Sequence, residues 1–321
     1  MGGAVTAARQ RAVTAARDGA LLVVGDVVTD IVARHRTALA PGTDTAAAIR
    51  TVPGGAGANV ACWAAHGGGA AWPGAAEVRL LGRVGANAAA WHEAALTRAG
   101  VRPRLVVDTE APTGTVICLV DGGAGAERTF LTDSGAALRL SPADWSPELL
   151  DGVALLHLSG YLFFAEPSRA AARAALASAR ARGVPVSVDP ASTGFLAETG
   201  AERFLSAVDG AATLLPSRGE AELLSGLSDP ADAASKLCHR FPSVVVKLGA
   251  EGALVARGGE VLGRAPAEPA RVRDSTGAGD AFTGAFLAAR LAGAGLREAA
   301  VAGCGAGAHA VTRIGGRPPA P

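Results

Sequence analysis

The 321-residue sequence predicts an α/β fold: a three-layer α/β/α sandwich with a mostly parallel central sheet and a small β-sheet lid. Three observations predict it. Short β-rich runs alternate with helix-like segments, the rhythm of βαβ units whose helices cover both faces of a parallel sheet. Two stretches, 29–52 and 103–135, carry β-branched runs with no helix between them, and read as hairpin strands outside the main sheet. Glycine-rich turns lead into helices at 53–59 and again at 274–280.

The elements follow in order. Residues 1–20 carry Arg9, Arg11, Arg17 and Asp18 and no apolar signal-peptide core, so a loose leader is expected ahead of one folded unit, 21–321. A buried strand is expected in LLVVGDVV from 21 to 28, then a helix from Val60. A strand at 78–83 precedes a helix at 88–99 that stops at Gly100. The runs 115–120 and 128–132 are the lid strands. An apolar strand at 155–158 leads to an Ala/Arg helix at 168–181, whose Arg169, Arg173, Arg180 and Arg182 read as a solvated face and its end. Strands at 184–188, 213–215 and 243–248 and a helix at 281–291 complete the pattern.

Composition narrows the function. There are 30 Lys and Arg against 29 Asp and Glu, a net charge of +1, which argues against duplex DNA or an anionic membrane as partner. The longest apolar stretch, 281–296, is broken by Arg290 and is not a membrane span. Cys62, Cys118, Cys238 and Cys304 fit neither zinc-site nor disulfide spacing. They read as buried small hydrophobes in a reducing, cytoplasmic setting.

Two motifs carry chemistry. In Asp274-Ser-Thr-Gly-Ala-Gly-Asp280 a small-residue turn runs into an apolar helix. The backbone N–H groups of Gly277, Ala278 and Gly279 can converge on one anion, assisted by the helix dipole, which suits a transferring phosphoryl group. A carboxylate at Asp280 can take a proton from an attacking hydroxyl. The structural alternative is an N-cap and a tight turn. In Pro53-Gly-Gly-Ala-Gly-Ala-Asn59, glycines permit close backbone approach and Asn59 offers both donor and acceptor to hydroxyls. The chain has no phosphate-loop motif of the G-x-x-x-x-G-K-[ST] type. The loop at 53–59 also fails the dinucleotide fingerprint, which disfavours a nicotinamide-dependent dehydrogenase.

Together the two motifs resemble the signatures of the ribokinase family, the PfkB-type carbohydrate kinases, over roughly Leu21 to Pro319. Gly25-Asp-Val-Val-Thr-Asp30, Gly82-Arg-Val-Gly85, Val188-Asp189-Pro190, Val246-Lys-Leu-Gly249-Ala-Glu-Gly252 and Ala310-Val-Thr-Arg-Ile-Gly315 match in the expected order. The resemblance implies a ribokinase-like sandwich and an ATP-dependent kinase of a small neutral sugar or sugar derivative. It implies Asp280 as catalytic base and Gly277, Ala278 and Gly279 as the γ-phosphate anion hole. Asp30, Gly54, Gly55, Asn59 and Asp280 would bind substrate. Lys247, Gly249, Gly252, Gly277, Gly279 and His309 would bind the nucleotide. Mg²⁺ would accompany ATP, met by Glu220 through water, and K⁺ or another monovalent cation would sit at Asp274 and Thr276 with carbonyls from 311–315. A homodimer is expected through the lid edges.

The residues also admit plainer roles. Asp30 can cap a turn, Lys247 can end a strand and point to solvent, and His157 reads as a core or pocket-wall histidine. Ser217 stands where the family has Asn, ahead of the retained Glu220. Ala56 and Ser159 replace a lysine and a glutamate tied to ribose. No arginine follows Asp189-Pro190 to meet a sugar acid. Tyr161, Phe163 and Phe164 could stack on a base, which keeps a nucleoside kinase as the alternative. A catalytically weak sugar-binding or regulatory relative is a second alternative.

Overall fold

The computed structural model describes residues 19–67, 74–75, 77–121 and 128–319. Among these, nine strands form one sheet in the order β13-β12-β11-β10-β9-β8-β1-β4-β5. Within it β1 (Ala20–Val24) is flanked by β4 (Val78–Gly85) and β8 (Val153–Ser159), both parallel to it. Parallel pairing continues through β9 (Val186–Asp189), β10 (Thr213–Leu214) and β11 (Ser243–Lys247). Antiparallel β12 (Ala253–Arg257) and β13 (Glu260–Ala265) close that side.

The strands read as continuous apolar runs because both faces are covered. Leu22 and Val24 join a core with Ala171, Ala175 and Leu176 of the helix Ser168–Ala181. Leu21 and Val23 point the other way, into a core with Val60, Phe282 and Phe286. Those residues belong to α1 (Ala56–His66) and to the helix Ala278–Leu291. A Cβ at Gly284 would meet the Val60 carbonyl at 2.6 Å, so glycine there lets this helix lie directly on α1. That crossing brings the two signature turns to one place.

A second sheet has the order β3-β2-β6-β7, from β2 (Val28–His35), β3 (Ala47–Gly54), β6 (Thr113–Asp121) and β7 (Arg128–Gly135). The 29–52 and 115–132 expectations fall on these strands, with residues 122–127 outside the described part. The expectation for 103–112 is corrected. Residues 101–108 form β5, which pairs in parallel with β4 at the edge of the main sheet. Its pattern is mostly half-exposed because it is an edge strand, and Pro103 is tolerated there for the same reason.

Two further boundaries move. The first strand ends at Val24, and Val28 opens the second sheet, so Asp30 sits within a lid strand rather than at the end of the first strand. Ala20 already lies in β1, and the expected leader otherwise falls outside the described residues. The four cysteines are buried. No helix among the described residues is long and apolar enough to cross a membrane.

Candidate active site

The parallel strands end on one rim, where β1, β8, β9 and β11 deliver Asp26, Ser159, Asp189 and Lys247 to a cavity of about 760 Å³. The carboxyl ends of parallel strands are where such sheets place ligands. A smaller cavity of about 310 Å³ adjoins it. Lys247, Gly249, Ser275 and Gly279 line both. The turn expected to hold an anion therefore stands at the junction.

That turn is built by backbone conformation. Gly277 adopts φ 73° as the residue before the helix Ala278–Leu291, whose start has no side-chain cap. The Ala278 N–H donates to the Ser275 carbonyl at 3.3 Å. Asp280, in the first turn, accepts a hydrogen bond from Asn59 Nδ2 at 2.8 Å. This contact joins the two glycine motifs across the whole chain. Burial pushes the Asp280 carboxyl up to about 8, helped by Asp189 and Asp26 and opposed by Asn59 and Lys247. Such a carboxylate is a competent acceptor of a hydroxyl proton near neutral pH.

Lys247 does not point to solvent. Its Nζ lies 2.5 Å from Asp189 Oδ2, with 13% of its side chain exposed. Burial opposes its charge, yet Asp189, Glu220 and Asp280 together hold its pKa above the usual lysine value. A Cβ at Gly279 would stand 3.5 Å from Lys247 Nζ, so the ammonium group flanks the anion turn. Asp189 is fixed in turn by Thr283 Oγ1 at 2.8 Å.

The expected substrate residues converge with one addition. Asp30 lines the larger cavity, and no hydrogen bond among the described residues occupies its carboxylate. Burial first, then Asp26 and Asp274, push it up to about 7, against Arg317. Gly55 and Asn59 line the same wall, and the Asn59 Oδ1 is buried without a partner. Gly54 serves differently: a Cβ there would collide with the Asp30 carboxyl group. The addition is Asp26, which sequence reasoning passed over. Its oxygens accept from Ala56 N at 2.7 Å, Gly57 N at 3.1 Å and Ser159 Oγ at 2.8 Å. Asp26 is thus the N-terminal cap of α1, supplied from another loop because Gly55 has no side chain to cap it.

Other expectations divide. Gly252 lines the smaller cavity beside Ala267, Val272, Phe282 and Val311. His309 is not among its lining residues; its ring packs edge-on against Trp63 at 5.7 Å, on another face of its helix. His157 is fully buried and lines the larger cavity, with Nδ1 3.0 Å from Ser187 Oγ. Burial lowers its pKa to about 4, so it is a neutral wall residue. Of the aromatic trio only Tyr161 lines the cavity, where Phe195 joins it. Phe163 is core, packed on Phe204, and Phe164 stacks on Phe195.

The expected metal residues differ in the donors they offer. Ser217 and Glu220 form a capping box, with Ser217 N donating to Glu220 Oε2 at 2.7 Å. Glu220 still lines the cavity. Among the described residues no group of three or more His, Cys, Asp or Glu could cage a metal. A lone carboxylate fits a Mg²⁺ ion held chiefly by phosphate and water. At the second site, Asp274 accepts from Thr276 N at 2.8 Å and Gly315 N at 2.9 Å, and Thr276 Oγ1 is buried without a partner. An acidic group beside an orphaned hydroxyl is oxygen chemistry that fits a hard monovalent cation.

The family model described as pfkB family carbohydrate kinase matches residues 19–321. The chain belongs to this family and is a kinase. It is 30% identical to a fructokinase from Klebsiella pneumoniae over 280 residues, 84% of either chain. Among solved structures it resembles the adenosine kinase from Sinorhizobium meliloti, with TM-score 0.82, 22% identity and coverage of 94% and 96%. An E. coli protein solved in complex with ATP and Mg²⁺ matches at TM-score 0.80 and 24% identity, covering 94% of both chains. At these identities the two structural likenesses establish the ribokinase-like fold.

Proposed function

We propose that this chain transfers the γ-phosphoryl group of ATP directly to a hydroxyl of a small neutral sugar or sugar derivative. The observation that carries this is the junction: Lys247 and Gly279 line both cavities, and Asp280 stands beside them on the acceptor side. In this reading the smaller cavity takes the nucleoside end of ATP between Val272, Phe282 and Val311. The amides of Gly277, Ala278 and Gly279 and the Lys247 ammonium meet the γ-phosphate. Asp280 accepts the acceptor's proton, and no covalent enzyme intermediate is needed. Mg²⁺ neutralises phosphate charge when bound, with Glu220 placed to meet it through water. Asp274 and Thr276 are the residues for K⁺.

The acceptor side supports a neutral, hydroxyl-rich molecule. Asp30 and Asn59 Oδ1 are unspent acceptors, and among the described residues no lysine or arginine other than Lys247 lines the cavity. An anionic sugar acid would face Asp30 with no lysine or arginine beyond Lys247 among the described lining residues to meet it. The nucleoside reading also has an observation behind it. Phe130 from the lid and Tyr161 with Phe195 from the body all line the cavity. A flat base between them would be well placed. The lid sheet would exclude water by closing. Its other face carries Ile49, 65% exposed, and Leu131, 53% exposed, the apolar surface that a homodimer through this sheet would cover.

The test is nucleotide consumption by the purified chain with Mg²⁺ and K⁺ against neutral pentoses and hexoses, sugar acids and nucleosides. Turnover is expected with a neutral sugar and at least about tenfold lower kcat/KM with any sugar acid, the scale of one unmatched charge. Preferred turnover of a nucleoside would establish the alternative. Preference for a sugar acid, or no acceptor-dependent turnover with ATP bound, would reject the proposal.

A further inference from the structure

Residues 315–317 touch Asp274 and Gly277 of the anion turn, Asn59 and the end of lid strand β3. Gly315 N donates to Asp274, below the anion turn, at 2.9 Å. The Gly316 carbonyl accepts from Trp63 Nε1 at 2.8 Å. A Cβ at Gly316 would strike the Asn59 side chain, and one at Gly277 would strike Gly316 itself, so the three are in direct contact. Arg317 Nη2 then donates to the Gly54 carbonyl at 3.2 Å, at the end of lid strand β3. Asp30 lies against the Cα of that same glycine.

Arg317 is otherwise unspent. Its Nε and Nη1 are buried with no hydrogen-bond partner. Burying guanidinium donors without acceptors is costly unless charge compensates nearby. The charged groups whose influence reaches Asp30 are Asp26 from the β1–β2 loop, Arg317, and Asp274 from the turn before the helix Ala278–Leu291. The link to Arg317 runs through Gly54, which both side chains touch. Two of the three groups are acidic, which leaves Arg317 as the cation. His92, whose Nε2 lies 3.2 Å from Thr29 Oγ1, is no substitute: burial and Arg317 lower its pKa to about 4 and keep it neutral.

We propose that Arg317 is the counter-ion and positioning residue of Asp30, through which the C-terminal segment ties the acceptor-reading carboxylate to the anion turn. The acceptor-reading part rests on the function proposed above; the pairing with Asp30 does not. Arg317 favours the ionised form of Asp30, the form that accepts hydrogen bonds from hydroxyls. It also fixes the end of β3, on which the carboxylate rests.

The test needs no acceptor. With aspartate labelled by ¹³C at the side-chain carboxyl, the Asp30 resonance is the one lost in Asp30→Asn. In the parent it is expected to titrate near 7. In Arg317→Gln its midpoint rises by about 1 pH unit or more, the effect of removing a near positive charge, and Arg317→Lys recovers most of the shift. A residue that only braced the fold would leave the midpoint in place, and an unchanged midpoint in folded Arg317→Gln overturns the proposal. If that variant does not fold, the parent decides. The Arg317 Nε–H resonance is expected to show an inflection at the Asp30 midpoint that disappears in Asp30→Asn. Its absence overturns the pairing. Unchanged acceptor affinity in Asp30→Asn would overturn the acceptor reading alone.

Discussion

Asp280→Asn is expected to lower kcat by at least about a hundredfold while nucleotide affinity stays nearly intact, the low end for loss of a general base. The amide keeps the volume and can still accept from Asn59 Nδ2, so the helix start and its amides stay in place. What is lost is the basic oxygen. In the parent, burial raises the Asp280 pKa to about 8, so kcat/KM for the acceptor should rise with pH through a limb in that region. The variant should lack that limb. Stability runs the other way. A folded-state pKa above the ordinary carboxyl value means that the folded protein holds this proton more tightly. The contribution is full below about 4 and is lost as pH rises toward 8. The variant, with no charge to bury, should therefore be at least as stable as the parent at pH 8 in urea unfolding. Turnover within tenfold of the parent would remove Asp280 from its assigned role.

Lys247→Met is expected to cost both activity and stability. The ammonium is the one lysine or arginine group among the described residues lining the two cavities, so its loss should lower kcat by about 10²–10³, as for a deleted transition-state donor. It also leaves Asp189 and Glu220 facing each other in the interior. Breaking a buried pair from one side typically costs about 3–5 kcal/mol. The double variant Lys247→Met with Asp189→Asn should recover much of the stability and none of the activity. Steady-state kinetics and urea unfolding of the three proteins separate these effects. A single variant with parental kcat would show that the lysine serves only the fold.

Much of this architecture was legible in the sequence because its signals are local. The turn Gly277-Ala-Gly279 and Asp280 occur within one helix start, and the β-branched runs at 115–120 and 128–132 announce strands whatever they pair with. What escaped depends on partners distant in the chain. Asp26 reads as one letter of a turn until Ala56 and Gly57 are seen to need its oxygens. Arg317 looks like a tail residue, and its partners lie at the other end of the sequence. Residues 103–108 read as lid because an edge strand of a parallel sheet shows the same half-polar pattern as a lid strand. Ser217-Arg-Gly-Glu220 was a capping box in plain spelling, obscured by the metal pattern it resembles. His309 fell on the wrong side of a helix whose all-round small residues give no face to read.

In the proposed function, phosphoryl transfer occurs where the two cavities meet. A crystal structure of the chain with a non-hydrolysable ATP analogue and Mg²⁺ tests it most directly. The γ-phosphorus should lie within hydrogen-bond reach of the amides at 277–279 and of Lys247 Nζ, with the base beside Phe282 and Val311. A triphosphate bound with its γ-phosphate away from that turn, or seated in the acceptor cavity, would contradict it.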